Sequence, residues 1–276
     1  MGKRADKSTG AALFTSSIPV AFPKEQEALF REVLTVFETM HLPFAVGGAF
    51  ALRKHTGISR STKDLDVFLC PQDASDALAR LQEHGFECEI TDSVWLAKAR
   101  HAGHFVDLIT GMSNGVIGVE PSWIERACLA KILGINTRVL AAEELLASKL
   151  FVTRRERFDG ADIAHIIFAS RGKLQWNRVL QLAGEHWELL LWALVLFHYV
   201  YPARSSECVP HSLWQDLLIR LGKEVSFPNP DARFRGSLID DAMFSIDVQE
   251  WGLDDVLAEC RARRAKITFA RGSRCG

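Results

Sequence analysis

Three acidic residues carry the first chemical suggestion in this sequence. Asp64 and Asp66 stand two apart in the run Asp64-Leu65-Asp66-Val67-Phe68-Leu69, and Asp107 is the lone acid in Phe105-Val106-Asp107-Leu108-Ile109. Side chains alternate along a strand, so both carboxylates of Asp-x-Asp fall on one face and Leu65 on the other. Ionised carboxylates held close together repel, and a lone buried carboxylate is costly. A cation between them relieves both penalties. Hard carboxylate oxygens suit Mg²⁺ (or Mn²⁺), which commonly takes one or two such groups together with substrate phosphates. Three carboxylates can hold two metals, one on a triphosphate and one activating an attacking hydroxyl.

Gly47-Gly48 precedes this run, after the apolar Phe44-Ala45-Val46 and before a helical pattern. Glycines there let the backbone approach phosphate, and a helix N-terminus presents free N–H groups. Alone, a Gly-Gly pair says little, and Asp-x-Asp at a strand start is commonly a turn or cap. Together, with a third Asp on a later strand, they point to metal-dependent chemistry on a nucleotide. Other singled-out residues have plainer readings. His101 and His104 flank a turn, His55 is a weak contact candidate, and Trp187, Trp192 and Trp251 read as packing residues.

The elements that must position these groups follow from periodicity and punctuation. Apolar residues at three- and four-residue steps predict a helix over Lys24–Met40, stopped by Pro43. Strands are expected at Phe44–Val46, Leu65–Cys70, Phe86–Thr91, Val94–Arg100 and His104–Thr110, the last two joined at Ala102-Gly103. Short helices fit Ala49–Lys54, ending at Gly57, and the segment between an Asp73 cap and Gly85. Residues 112–118 read as a glycine-rich loop, and Trp123–Leu133 is ambiguous between helix and strand. Helices are expected at Ala141–Thr153, Ala161–Ser170, Trp176–Tyr201, His211–Leu221 and Leu253–Lys266. Strands followed by helices predict an α+β protein. The expected division is a loose leader at 1–22, a catalytic core at 23–115 and a mostly helical region at 116–276.

Composition sets limits. The chain has 276 residues, 48% hydrophobic and 24% charged, with a formal net charge of −1, so no global basic field advertises nucleic acid. Arg261–Arg274 holds six basic residues and no acidic ones, which fits a solvated tail or a phosphate-contacting arm. Six cysteines show no CxxC spacing and read as reduced thiols in a cytoplasmic protein. The polar N-terminus lacks the core of a signal peptide. The most apolar run, Leu189–Phe197, is flanked by Glu188 and His198 and reads as a buried helix, with no membrane partner.

The run Phe44-Ala45-Val46-Gly47-Gly48-Ala49 with Arg60-Ser61-Thr62-Lys63-Asp64-Leu65-Asp66-Val67-Phe68-Leu69 resembles the polymerase-beta-type nucleotidyltransferase superfamily. The likeness is greatest to a bacterial branch that includes the toxins of type IV abortive-infection toxin–antitoxin pairs. A second patch resembles the same branch, with Glu143 to Lys149 followed by Arg154-Arg155-Glu156-Arg157-Phe158-Asp159-Gly160-Ala161-Asp162. The resemblance implies a mixed β-sheet flanked by helices. It implies NMP transfer from an NTP such as ATP to a hydroxyl of RNA or tRNA, protein or a small molecule, with pyrophosphate leaving. By that resemblance Asp64, Asp66 and Asp107 ligate metal, and Asp107 helps take the acceptor proton. Gly47, Gly48, Arg60 and Lys63 then hold phosphates, with Lys149, Arg155 and Arg157 assisting and Asp162 in support. Phe158 departs from the relatives' Arg-Asp pair, which leaves the role of Asp159 open. An antitoxin protein is a further implied partner. The competing reading is a non-catalytic nucleotide- or partner-binding member of the same fold.

Overall fold

A computed structural model describes residues 22–269; the leader expected at 1–22 lies outside them except for Phe22. The first helix, α1 (Lys24–Thr39), turns Leu29, Phe30, Val33, Leu34 and Phe37 into the core. Each large apolar side chain so buried contributes roughly 1.5–3 kcal/mol. His41 reverses the chain at φ 55°, and Pro43 leads into the first strand.

Among the described residues seven strands form one mixed sheet: β1 (Phe44–Val46), β2 (Asp64–Leu69), β3 (Glu87–Asp92), β4 (Leu96–His101), β5 (His104–Ile109), β6 (Cys128–Ile132) and β7 (Ile135–Val139). Their order is β3-β4-β5-β2-β1-β7-β6. The β2–β5 and β1–β7 pairs are parallel and the rest antiparallel. Helices α2 (Gly48–Thr56) and α3 (Ala74–Glu83) follow β1 and β2, and α1 lies against β5, β7 and α3. Gly57 ends α2 at φ 75°, as a glycine stop should. Asp73 precedes α3, but its side chain makes no capping bond, because a short 3-10 turn at Pro71–Asp73 leads into the helix instead. The α+β expectation holds. The sheet also runs past residue 115, since the ambiguous Trp123–Leu133 splits into a short helix, α4 (Pro121–Glu125), and the edge strand β6.

Helices dominate thereafter. The helix expected at Ala141–Thr153 is shorter: α5 is Ala142–Ala147, and the chain turns into a small hairpin, β8 (Thr153–Arg154) and β9 (Arg157–Phe158). The turn brings Lys149 onto the carboxylates that follow the hairpin. Beyond it stand α6 (Gly160–Ser170), α7 (Trp176–Ala183), α8 (Trp187–Val200), α9 (Ser205–Cys208), α10 (His211–Ser226), α11 (Ser245–Gln249) and α12 (Val256–Phe269).

The single helix expected over Trp176–Tyr201 breaks at Gly184, φ 56°, through a 3-10 turn. That span is long and apolar enough to cross a membrane by length and composition. The break aims two apolar faces inward: Trp176, Val179 and Ala183 from α7, and Trp187, Leu190, Leu194 and Phe197 from α8. Trp192 lies on the opposite side of α8, is 45% exposed and meets the Phe158 ring at 5.8 Å, so it is not a core residue. Trp251 is also exposed, because α12 starts at Val256 and leaves it in the preceding turn.

Two polar features tie the helices to the sheet region. Glu144, fully buried on α5, accepts from Arg126 at 3.1 Å and Arg178 at 2.9 Å. Arg261 on α12 pairs with Asp92 of β3 at 2.9 Å and donates to the Ser113 carbonyl. The start of the basic run is therefore a docked helix rather than a solvated tail; its last residues lie outside the described part. Cys70, Cys88, Cys128, Cys208 and Cys260 are free thiols, and Cys275 lies outside the described residues.

Candidate active site

Strand register builds the acidic centre. In the parallel β2–β5 pair Asp66 stands opposite Asp107 and Asp64 opposite Phe105. Leu65, Val67, Val106 and Leu108 turn to the other face and are fully buried. The carboxylates thus share one face, and ligand oxygens of Asp64, Asp66 and Asp107 all lie within 4.8 Å of one another. The structure brings together the three acids singled out in the sequence.

The Gly-Gly turn is pressed against this centre. Gly47 N–H donates to the Asp66 carbonyl at 2.8 Å. Gly48 has φ +51°, and a Cβ there would stand 1.7 Å from Asp66 Oδ2. A Cβ on Gly47 would stand 2.2 Å from the Phe68 ring. Both glycines are therefore required by close approach, and Gly48 by its backbone angle as well. Gly48→Ala is expected to push the Asp66 carboxylate aside, destabilise the fold by at least the ~1–2 kcal/mol of left-handed strain and so lower the melting temperature, and cost about 10²-fold in any metal-dependent activity through misplacement. A calorimetric scan beside a rate measurement checks it; an unchanged variant would mean that the turn is free to open.

Crowding shows in the electrostatics. Burial pushes the Asp66 carboxyl up to about 7, and the neighbouring Asp64 and Asp107 add to the effect, while Lys149 and Arg157 oppose it. Burial also pushes Asp107 up, although the Lys98 hydrogen bond and charge act against it. Asp64 accepts from the Thr62 hydroxyl at 2.7 Å. A cluster of hard carboxylate oxygens whose buried Asp66 is crowded by two other acids is chemically suited to a divalent cation such as Mg²⁺ or Mn²⁺.

Lys98 is a site residue that the sequence analysis did not single out. It pairs opposite Asp107 in the β4–β5 hairpin, and its Nζ lies 2.5 Å from Asp107 Oδ1 and 4.2 Å from the centre of the Phe105 ring. A signal existed: once Ala102-Gly103 is taken as a two-residue turn, counting back along the hairpin puts Lys98 across from Asp107.

The other basic candidates divide. Lys149 is buried, and its Nζ lies 2.7 Å from Asp159 and 2.8 Å from Asp162. Arg60 makes a two-pronged bond to Asp162, both contacts at 2.8 Å. Arg157 reaches Asp159 at 3.2 Å and keeps a side chain that is 68% exposed. Burial alone would raise the Asp159 carboxyl, but Lys149 and Arg157 more than offset it, so it lies below the ordinary carboxylate range. Asp159 and Asp162, left open or supporting in the sequence, are thus the anions that hold this basic group. Lys63 is exposed beside β2. Arg155 is exposed and contributes its backbone N–H to Asp240 at 2.9 Å, which anchors the 236–244 segment to the hairpin. His55 is partly buried with its Nε2 2.7 Å from the Leu140 carbonyl, which ties α2 to the end of β7, and burial lowers its pKa. His101 and His104 flank the hairpin turn, as expected.

No family model and no curated protein matches the chain. Solved structures give loose likenesses. The antibiotic-resistance factor ANT(2'')-Ia is 15% identical with a TM-score of 0.43, over 63% of this chain and 97% of that one. The lincosamide antibiotic adenylyltransferase LnuA is 16% identical with a TM-score of 0.38, over 52% and 96%. An antigenic nucleotidyltransferase-like protein from Paracoccidioides brasiliensis is 16% identical with a TM-score of 0.43, over 69% and 96%.

Proposed function

We propose that the chain is a metal-dependent nucleotidyltransferase that moves NMP from an NTP to a hydroxyl acceptor and releases pyrophosphate. One observation carries this reading: Asp64, Asp66 and Asp107 converge within 4.8 Å on one sheet face, against a Gly-Gly turn that leads into a helix. A divalent cation bound there neutralises the phosphates and polarises the reacting oxygens. The chain's own groups do the positioning. Asp64 and Asp66 would hold the cation, with the Thr62 hydroxyl fixing the Asp64 carboxylate. Asp107 has Oδ1 on Lys98 and takes the acceptor proton with its other oxygen. The acceptor oxygen bonds to the α-phosphorus as the bond from that phosphorus to the bridging oxygen breaks. Gly47, Gly48, Lys63 and the exposed Arg157 guanidinium receive the departing phosphates. Lys149, engaged by Asp159 and Asp162, acts on the site through its charge on Asp66, and Arg60 holds Asp162 beside it.

The test incubates the protein with each labelled NTP, Mg²⁺ or Mn²⁺, and extracts containing RNA, protein and small-molecule acceptors. Label transfer with acceptor-dependent pyrophosphate is the expected result. Absence of both with all four NTPs, in a protein that still binds NTP and metal, would favour the non-catalytic binding module.

A further inference from the structure

Register places Lys98, Asp107 and Asp66 in one row across β4, β5 and β2, all on the same sheet face. The three acids are not treated alike. Asp107 has an ammonium at 2.5 Å, Asp64 has a hydroxyl at 2.7 Å, and Asp66 has the Gly48 backbone pressed against it. Lys98 is not a surface lysine that happens to reach inward. Its side chain is 16% exposed, and its Nζ sits against the face of Phe105, a contact that holds a cation in place.

The Lys98 ammonium, 2.5 Å from Asp107, already supplies the positive charge that a divalent ion held by Asp107 would supply. Two positive charges from one divalent ion and one from Lys98 match three carboxylates. In the absence of nucleotide, a second divalent ion would overcharge the cluster and stand against a fixed like charge. We propose that Lys98 is a positioning residue standing in place of a second divalent ion, so that the acidic cluster takes one such ion, on Asp64 and Asp66, while Asp107 works against a built-in protein cation. The inference rests on the nucleotidyltransferase reading for its chemistry, but its test does not need turnover.

Mn²⁺ binding to the full chain is titrated by electron paramagnetic resonance and calorimetry for the wild type, Lys98→Arg and Lys98→Met. Methionine keeps the length and apolar stem without the charge, and arginine keeps the charge. The expected stoichiometry is one Mn²⁺ for the wild type and Lys98→Arg, and two for Lys98→Met, with the additional ion lost again on adding Asp107→Asn. Thermal melts confirm folding, and Lys98→Gln serves if the methionine variant does not fold. Two sites of similar affinity in the wild type, or one site in a folded uncharged variant, would overturn the inference while leaving nucleotidyl transfer intact. No Mn²⁺ bound by any variant would instead remove the metal-dependent reading itself, and this inference with it.

Discussion

Asp66→Asn is expected to abolish nucleotidyl transfer and, in the metal-free protein, to raise the melting temperature at pH 8. The two effects have one source. Asp66 is an anion placed where anions repel: burial and the adjacent Asp64 and Asp107 push its carboxyl up to about 7 from an ordinary 3.8. A carboxyl whose pKa is raised on folding favours the folded state least when ionised. Below the unfolded value both states hold the proton and nothing is lost. Between about pH 4 and 7 the folded protein keeps a proton that the unfolded chain has released, so stability falls as pH rises, by at most about 1.4 kcal/mol per unit. Above 7 the full penalty, of order 2–4 kcal/mol, is present. Asparagine keeps the shape and removes the charge, so it relieves the penalty at pH 8 and does little at pH 4. Divalent cation should raise the melting temperature of the wild type but not of Asp66→Asn. Transfer should fall at least about 10³-fold, the scale of losing a principal electrostatic contact. Below pH 7 the cation must displace the proton on Asp66, so its apparent affinity should weaken as pH falls, approaching tenfold per unit. A variant melting at or below the wild type at pH 8 would sink this electrostatic account.

The acidic centre was legible because its signal is local. An Asp-x-Asp run fixes a common face, and Asp107 stands out in an apolar strand. What joins them is register, and register was half legible. Ala102-Gly103 and Leu133-Gly134 are both two-residue hairpin turns with positive φ at both positions: 49° and 78°, then 47° and 85°. The first was readable because strands with clear apolar content flank it. The second was not, because leucine at positive φ is no turn signal, and β6 exposes Cys128, Leu129 and Lys131 and so shows no alternation. The break at Gly184 was hidden because the apolar residues on either side read as one continuous helix. The basic cluster was the least legible part. Its pairs span 102 residues from Arg60 to Asp162 and 10 from Lys149 to Asp159, and no local pattern announces an ion pair closed by the tertiary fold.

Lys149→Met is expected to destabilise the protein by about 3–5 kcal/mol, the cost of leaving buried charges without their partner. The resemblance in sequence implies a lysine that meets the triphosphate. The structure has its ammonium inside, 2.7 Å from Asp159 and 2.8 Å from Asp162, with a side chain only 5% exposed. Arg60 and Arg157 contact the same two carboxylates, but their side chains are 46% and 68% exposed and cannot replace the charge at the centre. The same lysine also lowers Asp66, so its loss should drive that carboxyl further up and weaken cation binding at neutral pH. These effects separate by a cycle. Asp159→Asn and Asp162→Asn together remove the orphaned charges, and in that background Lys149→Met should cost much less stability. Cation affinity should not return with stability, because the charge near Asp66 is still missing. A lysine acting only as a phosphate ligand would give another pattern: Lys149→Met as stable as the wild type, with a raised KM for NTP and unchanged cation binding. Denaturant unfolding and Mn²⁺ titration of the four proteins decide between a charge that holds the site in shape and one that waits for the substrate.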